Sequence, residues 1–308
     1  MRYSPRLGGA ALGLLLFVVG STATWLSWRY FVDTATGQRL DNTALRGSVI
    51  GRNRLLEWVE PVLEIVSVPF VVAVLSTAAV IALVRRRWLL AVQVIVLVGG
   101  ANLTTQVLKY AIWDRPDLTT VVGSAENSLP SGHTTVAASA AAALLLVVPT
   151  AARPAVTVLG AGYAALTGVS TMIGGWHRPS DVVASMAVVL AWAGLATVAT
   201  ALGPPEPGLS REDSTTPTAV VAGVLAAGSV LAGGLALSAL LRILDALGTE
   251  SWLTGRQNLA TAYFGGASGV VAATGLTFAA ILVAHQIASR TIPTDRTADA
   301  RPSVDHRP

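Results

Sequence analysis

Eight stretches of this chain run for at least 20 residues without Asp, Glu, Lys or Arg: 7–28, 65–84, 88–108, 127–152, 154–177, 182–205, 214–241 and 257–289. Twenty residues of α-helix reach about 30 Å, the thickness of a bilayer's hydrocarbon core. Charged residues make up 12% of the 308, about half the share usual in soluble domains, and mean hydropathy is +0.61. The pattern predicts an all-α fold, a polytopic membrane helical bundle. Net charge is +4, but the basic residues are scattered between the runs, so nucleic-acid binding has no footprint. There is no cysteine, which rules out disulfides, thiolate nucleophiles and Cys-ligated metals.

The first run follows Arg2 and Arg6 and ends at Trp25 and Trp28. Interfacial aromatics at its end favour a retained span over a cleaved signal peptide. Residues 29–64 form an extracytoplasmic loop. Within it, Asp41 to Glu64 mixes apolar and charged residues at helical spacing, which suits either an amphipathic surface helix or a plain tether. Arg85-Arg86-Arg87 and Arg153 lie between spans two and three and between four and five. The positive-inside rule puts both connections, and both termini, in the cytoplasm. Residues 203–217 are a Pro- and Gly-rich linker that divides the first six spans, 1–202, from two additional helices over 218–289. The Gly265-x-x-x-Gly269 spacing in the last run permits close helix packing, within the chain or between copies. Residues 290–308 read as a disordered cytoplasmic tail.

Ionisable residues at span ends are costly, and here three clusters fall on one predicted side, the external one. Lys109, the chain's only lysine, and Arg115-Pro116 close span three. Pro130-Ser131-Gly132-His133 opens span four, and Ser170-Thr171 with His177 and Asp181 joins spans five and six. Lys109 and Arg115 offer positive charge to phosphate oxygens. The first N–H groups of a helix opening at Ser131-Gly132 point outward at an anion, and glycine lets it come close. His177 and Asp181, four apart, share a helical face, so the carboxylate can orient the ring and leave one nitrogen to attack. His133 is suited to protonating a leaving oxygen. Together these groups predict phosphoryl transfer that needs no metal or other cofactor. Singly, each has a plainer role: Lys109 and Arg115 as snorkelling residues, His133 as a cap, His177 and Asp181 as a structural pair. Three clusters on one face favour chemistry. Asp114, Asp117 and Glu126 read as solvated loop charges, and Trp113 and Trp176 as interfacial anchors.

The ordered set resembles the signature of the type-2 phosphatidic acid phosphatase superfamily, which includes the vanadium haloperoxidases: K-x6-R-P, then P-S-G-H, then S-R-x5-H-x3-D. The second element matches in full, and Ser170, His177 and Asp181 fall at the right intervals in the third. Two positions depart from it. The first element is one residue short, Lys-x5-Arg-Pro, and Thr171 stands where the family has arginine.

The resemblance, taken over residues 1–202, implies a six-span phosphatase core with two extra C-terminal spans. It implies that His177 is the nucleophile, forming a phosphohistidine, and that His133 protonates the leaving group. Lys109, Arg115, Ser131 and the Gly132 backbone would stabilise the phosphoryl oxygens, with Thr171 able to donate one hydrogen bond. The implied activity is hydrolysis of lipid phosphate monoesters or pyrophosphates at the external face of the cytoplasmic membrane. Phosphatidic acid, phosphatidylglycerol phosphate and polyprenyl phosphates all fit as membrane-lipid substrates. Two rivals stay open: a phosphotransferase using the same His177, and a non-catalytic lipid-binding or transport protein on the same frame, which Thr171 keeps in play.

Overall fold

The computed structural model describes residues 6–50, 88–119, 127–203, 215–249 and 253–289, with isolated positions between 52 and 84. The expected second span at 65–84, the arginines at 85–87, Glu126, most of the linker and the tail from 290 lie outside the described residues. Among the described residues there are eight α-helices and no strand.

Helix α1 (Leu7–Ser27) runs into a π-helical turn, Trp28–Val32. Thr34 then caps α2 (Ala35–Gly47), its hydroxyl accepting from the Gly37 N–H at 3.0 Å. Helix α3 (Trp88–Val107) also closes in a π-helical turn, Leu108–Ile112. There follow α4 (Gly132–Val147), α5 (Arg153–Ile173), α6 (Pro179–Leu202), α7 (Thr215–Thr249) and α8 (Arg256–Ser289). Among the described residues, six helical segments are long and apolar enough to cross a membrane: Leu7–Val32, Trp88–Ile112, Thr150–Ile173, Pro179–Leu202, Thr216–Gly248 and Arg256–Ser289.

The charge-free run 127–152 yields a shorter helix than its length predicted. Ser131 caps α4, and Val148, extended before Pro149, ends it after 16 residues. A residue preceding proline is pushed out of the helical region, so the helix stops there. Sixteen residues rise about 24 Å, less than the hydrocarbon core.

Of the stretch 41–64, read as a surface helix or a tether, residues 51 and 53–64 lie outside the described residues. Helix α2 starts at Ala35, ends at Gly47, and is packed into the bundle: Leu40, Asp41, Asn42, Thr43 and Ala44 are all buried. A Cβ on Gly47 would run into the Leu259 carbonyl and Tyr263 of α8, so α2 and the start of α8 touch backbone to backbone.

Helix α8 is no appendage either. Its Phe278, Ile281 and Leu282 belong to the main core with Leu97, Leu145, Met186 and Val189. Tyr263 and Val270 pack on Met172, Ile173 and Val182, directly behind the third cluster. Gly265 and Gly269 face Ala239 and Ala236 of α7, so that small-residue spacing serves packing within the chain. Helices α1 and α6 cross the same way, Gly13 against Gly194 and Gly20 against Ala187 and Ala191.

The two ends of the bundle are built differently. At one end, Arg6 donates to the carbonyls of Ala201, Thr200 and Gly203, capping α6. There too Arg153, expected as a loop charge, is buried and donates to Ser289 at the end of α8 (3.0 Å). The other end gathers the C-termini of α1, α3 and α5, the N-termini of α4, α6 and α8, and α2.

Candidate active site

At that second end, α4 and α6 start against each other. The Ser131 N–H donates to the Asp181 carbonyl (3.0 Å), and Ser185 Oγ donates to the Ser131 carbonyl (2.8 Å). Ser131 Oγ accepts from the Thr134 N–H and hydroxyl, so its observed contacts are those of a buried N-cap. A Cβ at Gly132 would meet nothing closer than Gln106 Nε2 at 3.6 Å. Packing therefore does not demand glycine here. Its missing side chain leaves the first turn of α4 open toward Gln106 of α3, where an anion could approach the backbone donors.

His177 and Asp181 form the tightest pairing. His177 Nδ1 lies 3.0 Å from Asp181 Oδ2, which also accepts from the Arg178 N–H (2.9 Å) and Ser128 Oγ (2.7 Å). The Arg178 contact is half of a capping box, so Asp181 starts α6 as well as orienting the ring. With Nδ1 on the carboxylate, Nε2 is the nitrogen left for attack. The His133 ring faces His177 at 6.4 Å between centroids and is exposed. Trp176, also exposed, tilts against His133 at 5.7 Å. Trp113 instead stacks on Trp28 at 5.5 Å. Gly175, at φ +73°, turns the chain from α5 into this cluster, as only glycine does readily.

Two cations of the first cluster reach the same place. Lys109, in the π-helical turn, lies within electrostatic reach of His133. Arg115 spans the shortened spacing and interacts with Arg178, Asp41 and Asp181. Burial lowers its pKa, with Arg178 adding to the effect and the two carboxylates opposing it. Both of its terminal nitrogens are buried without a hydrogen-bond partner among the described residues. A buried guanidinium with unused donors is costly, and a phosphate is the group whose oxygens fit that fork.

Thr171 does not take the family arginine's place. It is fully buried in α5, and its hydroxyl donates to the Gly168 carbonyl (2.7 Å). A helical threonine bonds back to the preceding turn in this way, which consumes the proton expected for phosphate. Its carbonyl instead accepts from the Trp176 and His177 N–H groups, fixing the turn that carries His177. Arg178 is buried within the cluster, with Nε on Asn42 Oδ1 (3.0 Å) and Nη1 on Ser128 Oγ (2.9 Å).

Several participants were not anticipated. Asn127 donates to the carbonyls of Trp113 and Leu129, tying the chain after α3 to the chain before α4. Arg52 donates to the Gly174 carbonyl. From α2, Asn42 holds Arg178, and Asp41 accepts from Ser180 Oγ. Burial, aided by the charge of Asp181, pushes the Asp41 carboxyl up to about 7, against the Ser180 hydrogen bond, Arg178 and Arg115. For Asp41 and Asn42 the one sequence signal is their polarity within the mixed stretch that becomes α2.

Residues 88–202 match the family model described as the PAP2 superfamily. This part of the chain belongs to the PAP2 superfamily. The match covers α3 to α6, and with them all three clusters; α1 and α2 lie outside it, as α7 and α8 do, so it is narrower than the 1–202 over which the resemblance was taken. PAP2 superfamily membership supports phosphoester hydrolysis of the phosphatase type in a multi-pass membrane protein. No curated protein and no solved structure matches the chain.

Proposed function

We propose that the chain hydrolyses lipid phosphate monoesters or pyrophosphates at the external face of the cytoplasmic membrane, through a phosphohistidine on His177. The observation that carries this reading is the His177–Asp181 pair, at 3.0 Å, facing His133 beside Lys109 and Arg115. His177 Nε2 attacks phosphorus while the bond to the leaving oxygen breaks, and His133 gives that oxygen its proton. His133, now neutral, takes a proton from water as the water attacks the phosphohistidine. The P–N bond breaks, phosphate leaves and His177 is restored. Asp181 stays ionised throughout and stabilises the positive charge that builds on the His177 ring. Arg115, Lys109 and the first N–H groups of α4 meet charge on the phosphoryl oxygens, which is the larger part of catalysis in phosphoryl transfer.

The Arg85-Arg86-Arg87 run, which in sequence precedes α3, supports the external face by the positive-inside rule, because the site lies at the C-terminal end of that helix. A site at the ends of apolar helices supports a lipid substrate, whose phosphate lies at the membrane surface. The test is phosphate release by the purified full-length protein in detergent with EDTA, from phosphatidic acid, phosphatidylglycerol phosphate and polyprenyl pyrophosphate. Release from at least one that disappears in His177→Ala is expected. Release that survives His177→Ala, or none until an acceptor lipid is added, would replace hydrolysis at this site with another reaction.

A further inference from the structure

Asp41 lies in α2, outside the PAP2-matched region, and is almost completely enclosed. A continuous set of hydrogen bonds leads from its neighbour to the nucleophile. Asn42 accepts from Arg178, Arg178 donates to Ser128, Ser128 donates to Asp181, and Asp181 holds His177. Asp41 itself accepts from Ser180, in the first turn of α6.

Charged groups face it from two sides: Asp181 and Arg178 from α6 and its cap, and Arg115 from the segment after α3. Among the described residues, the other walls of its surroundings carry no charge. Leu240 and Ile243 of α7 and Ala262 and Gly265 of α8 line a largely apolar cavity of about 300 Å³, to which Asp41 and Ser180 also contribute. A carboxylate with arginines on one side and hydrocarbon on the other acts chiefly on the arginines.

We propose that Asp41 is a positioning residue that sets how much positive charge Arg115 and Arg178 present to the substrate phosphate. This rests on the phosphoryl site proposed above. With its pKa raised to about 7, Asp41 is a neutral acid below that pH, and both guanidinium charges act on the phosphate undiminished. As pH rises through that value, the carboxylate offsets part of their field and adds its own repulsion. Substrate binding weakens in the same interval.

The decisive comparison is full-length wild type against Asp41→Asn in detergent, with kcat and KM measured from about pH 5.5 to 8.5. The ratio of the two kcat/KM values cancels the ionisation of the substrate and of shared active-site groups. It should stay near unity at the acid end and rise roughly 3- to 30-fold in favour of the variant at the alkaline end, the scale for one charge acting through protein. The change should sit in KM. A ratio that does not vary with pH would overturn the proposal, since a purely structural role lowers activity at every pH alike.

Ser180→Ala guards against a misfolded Asp41→Asn. The Ser180 hydrogen bond favours the carboxylate, so its loss should move the alkaline fall to higher pH, and an unmoved or lowered midpoint would contradict the proposal. Binding of inorganic phosphate, followed by tryptophan fluorescence, separates the two readings. Without turnover in wild type the proposed hydrolysis fails. A pH-dependent gain in phosphate affinity in Asp41→Asn would still support Asp41's role, and equal affinities at all pH would end it.

Discussion

Both ends of the bundle bury arginine, and they use it in opposite ways. Arg6 is spent: it donates to three carbonyls in and after the last turn of α6, where unpaired carbonyls and the helix dipole both favour a cation. Arg115 is also drawn inside, beside Arg178, yet its terminal nitrogens have no hydrogen-bond partner among the described residues. Burial alone therefore does not mark a functional cation in a membrane protein. What distinguishes the two is whether the fold itself consumes the donors.

Substitution at the two arginines should separate these uses. Arg115→Ala should lower kcat/KM by roughly 10- to 100-fold, the loss of a charge-assisted contact to phosphate. Its thermal stability should hold or rise, because an unsatisfied buried cation has been removed. A melting temperature that falls with activity retained would make Arg115 another structural arginine. Arg6→Ala should do the reverse, costing about 1–3 kcal/mol of stability and leaving kcat/KM per folded molecule unchanged. A large loss of activity in stable Arg6→Ala protein would erase the contrast between the ends.

A smaller effect tests the departure at Thr171. If threonine were only a handicap, restoring the family arginine would raise the rate. The structure gives the opposite expectation: Thr171 is fully buried and bonded within α5, so Thr171→Arg overpacks that site, at about 1–3 kcal/mol, with no gain in kcat/KM. A faster, equally stable variant would mean that room for the arginine exists.

Much of the molecule was legible from the chain because the relevant signals are local. Charge-free runs mark the helices, and four-residue spacing puts His177 and Asp181 on one face. Ser131-Gly132 marks a helix start. The remainder depends on contacts between residues far apart in sequence. Asp41 and Asn42 sit in a stretch of mixed polarity that reads equally well as a surface helix, and only the packing of α2 on α6 and α8 buries them. Arg178 is drawn into the cluster by Asn42, a partner in α2 that the sequence around Arg178 does not reveal. Helix α8 lies outside the signature, and its Gly265-x-x-x-Gly269 spacing does not say what it packs on, whereas in the structure Phe278 and Ile281 complete the core of the matched region. The length of α4 was misjudged because a charge-free run ignores Pro149, which stops the helix within it.

The central claim is that His177 carries the phosphoryl group. The most direct measurement mixes the full-length protein in detergent with radiolabelled phosphatidic acid or polyprenyl pyrophosphate, quenches in alkali on the millisecond scale, and maps any label retained on the chain. The account predicts an acid-labile, alkali-stable label on the peptide containing His177, absent in His177→Ala, and more abundant in a His133 variant only with polyprenyl pyrophosphate, whose phosphate leaving group needs less help from an acid. Label on another residue, or steady turnover in His177→Ala, would contradict it.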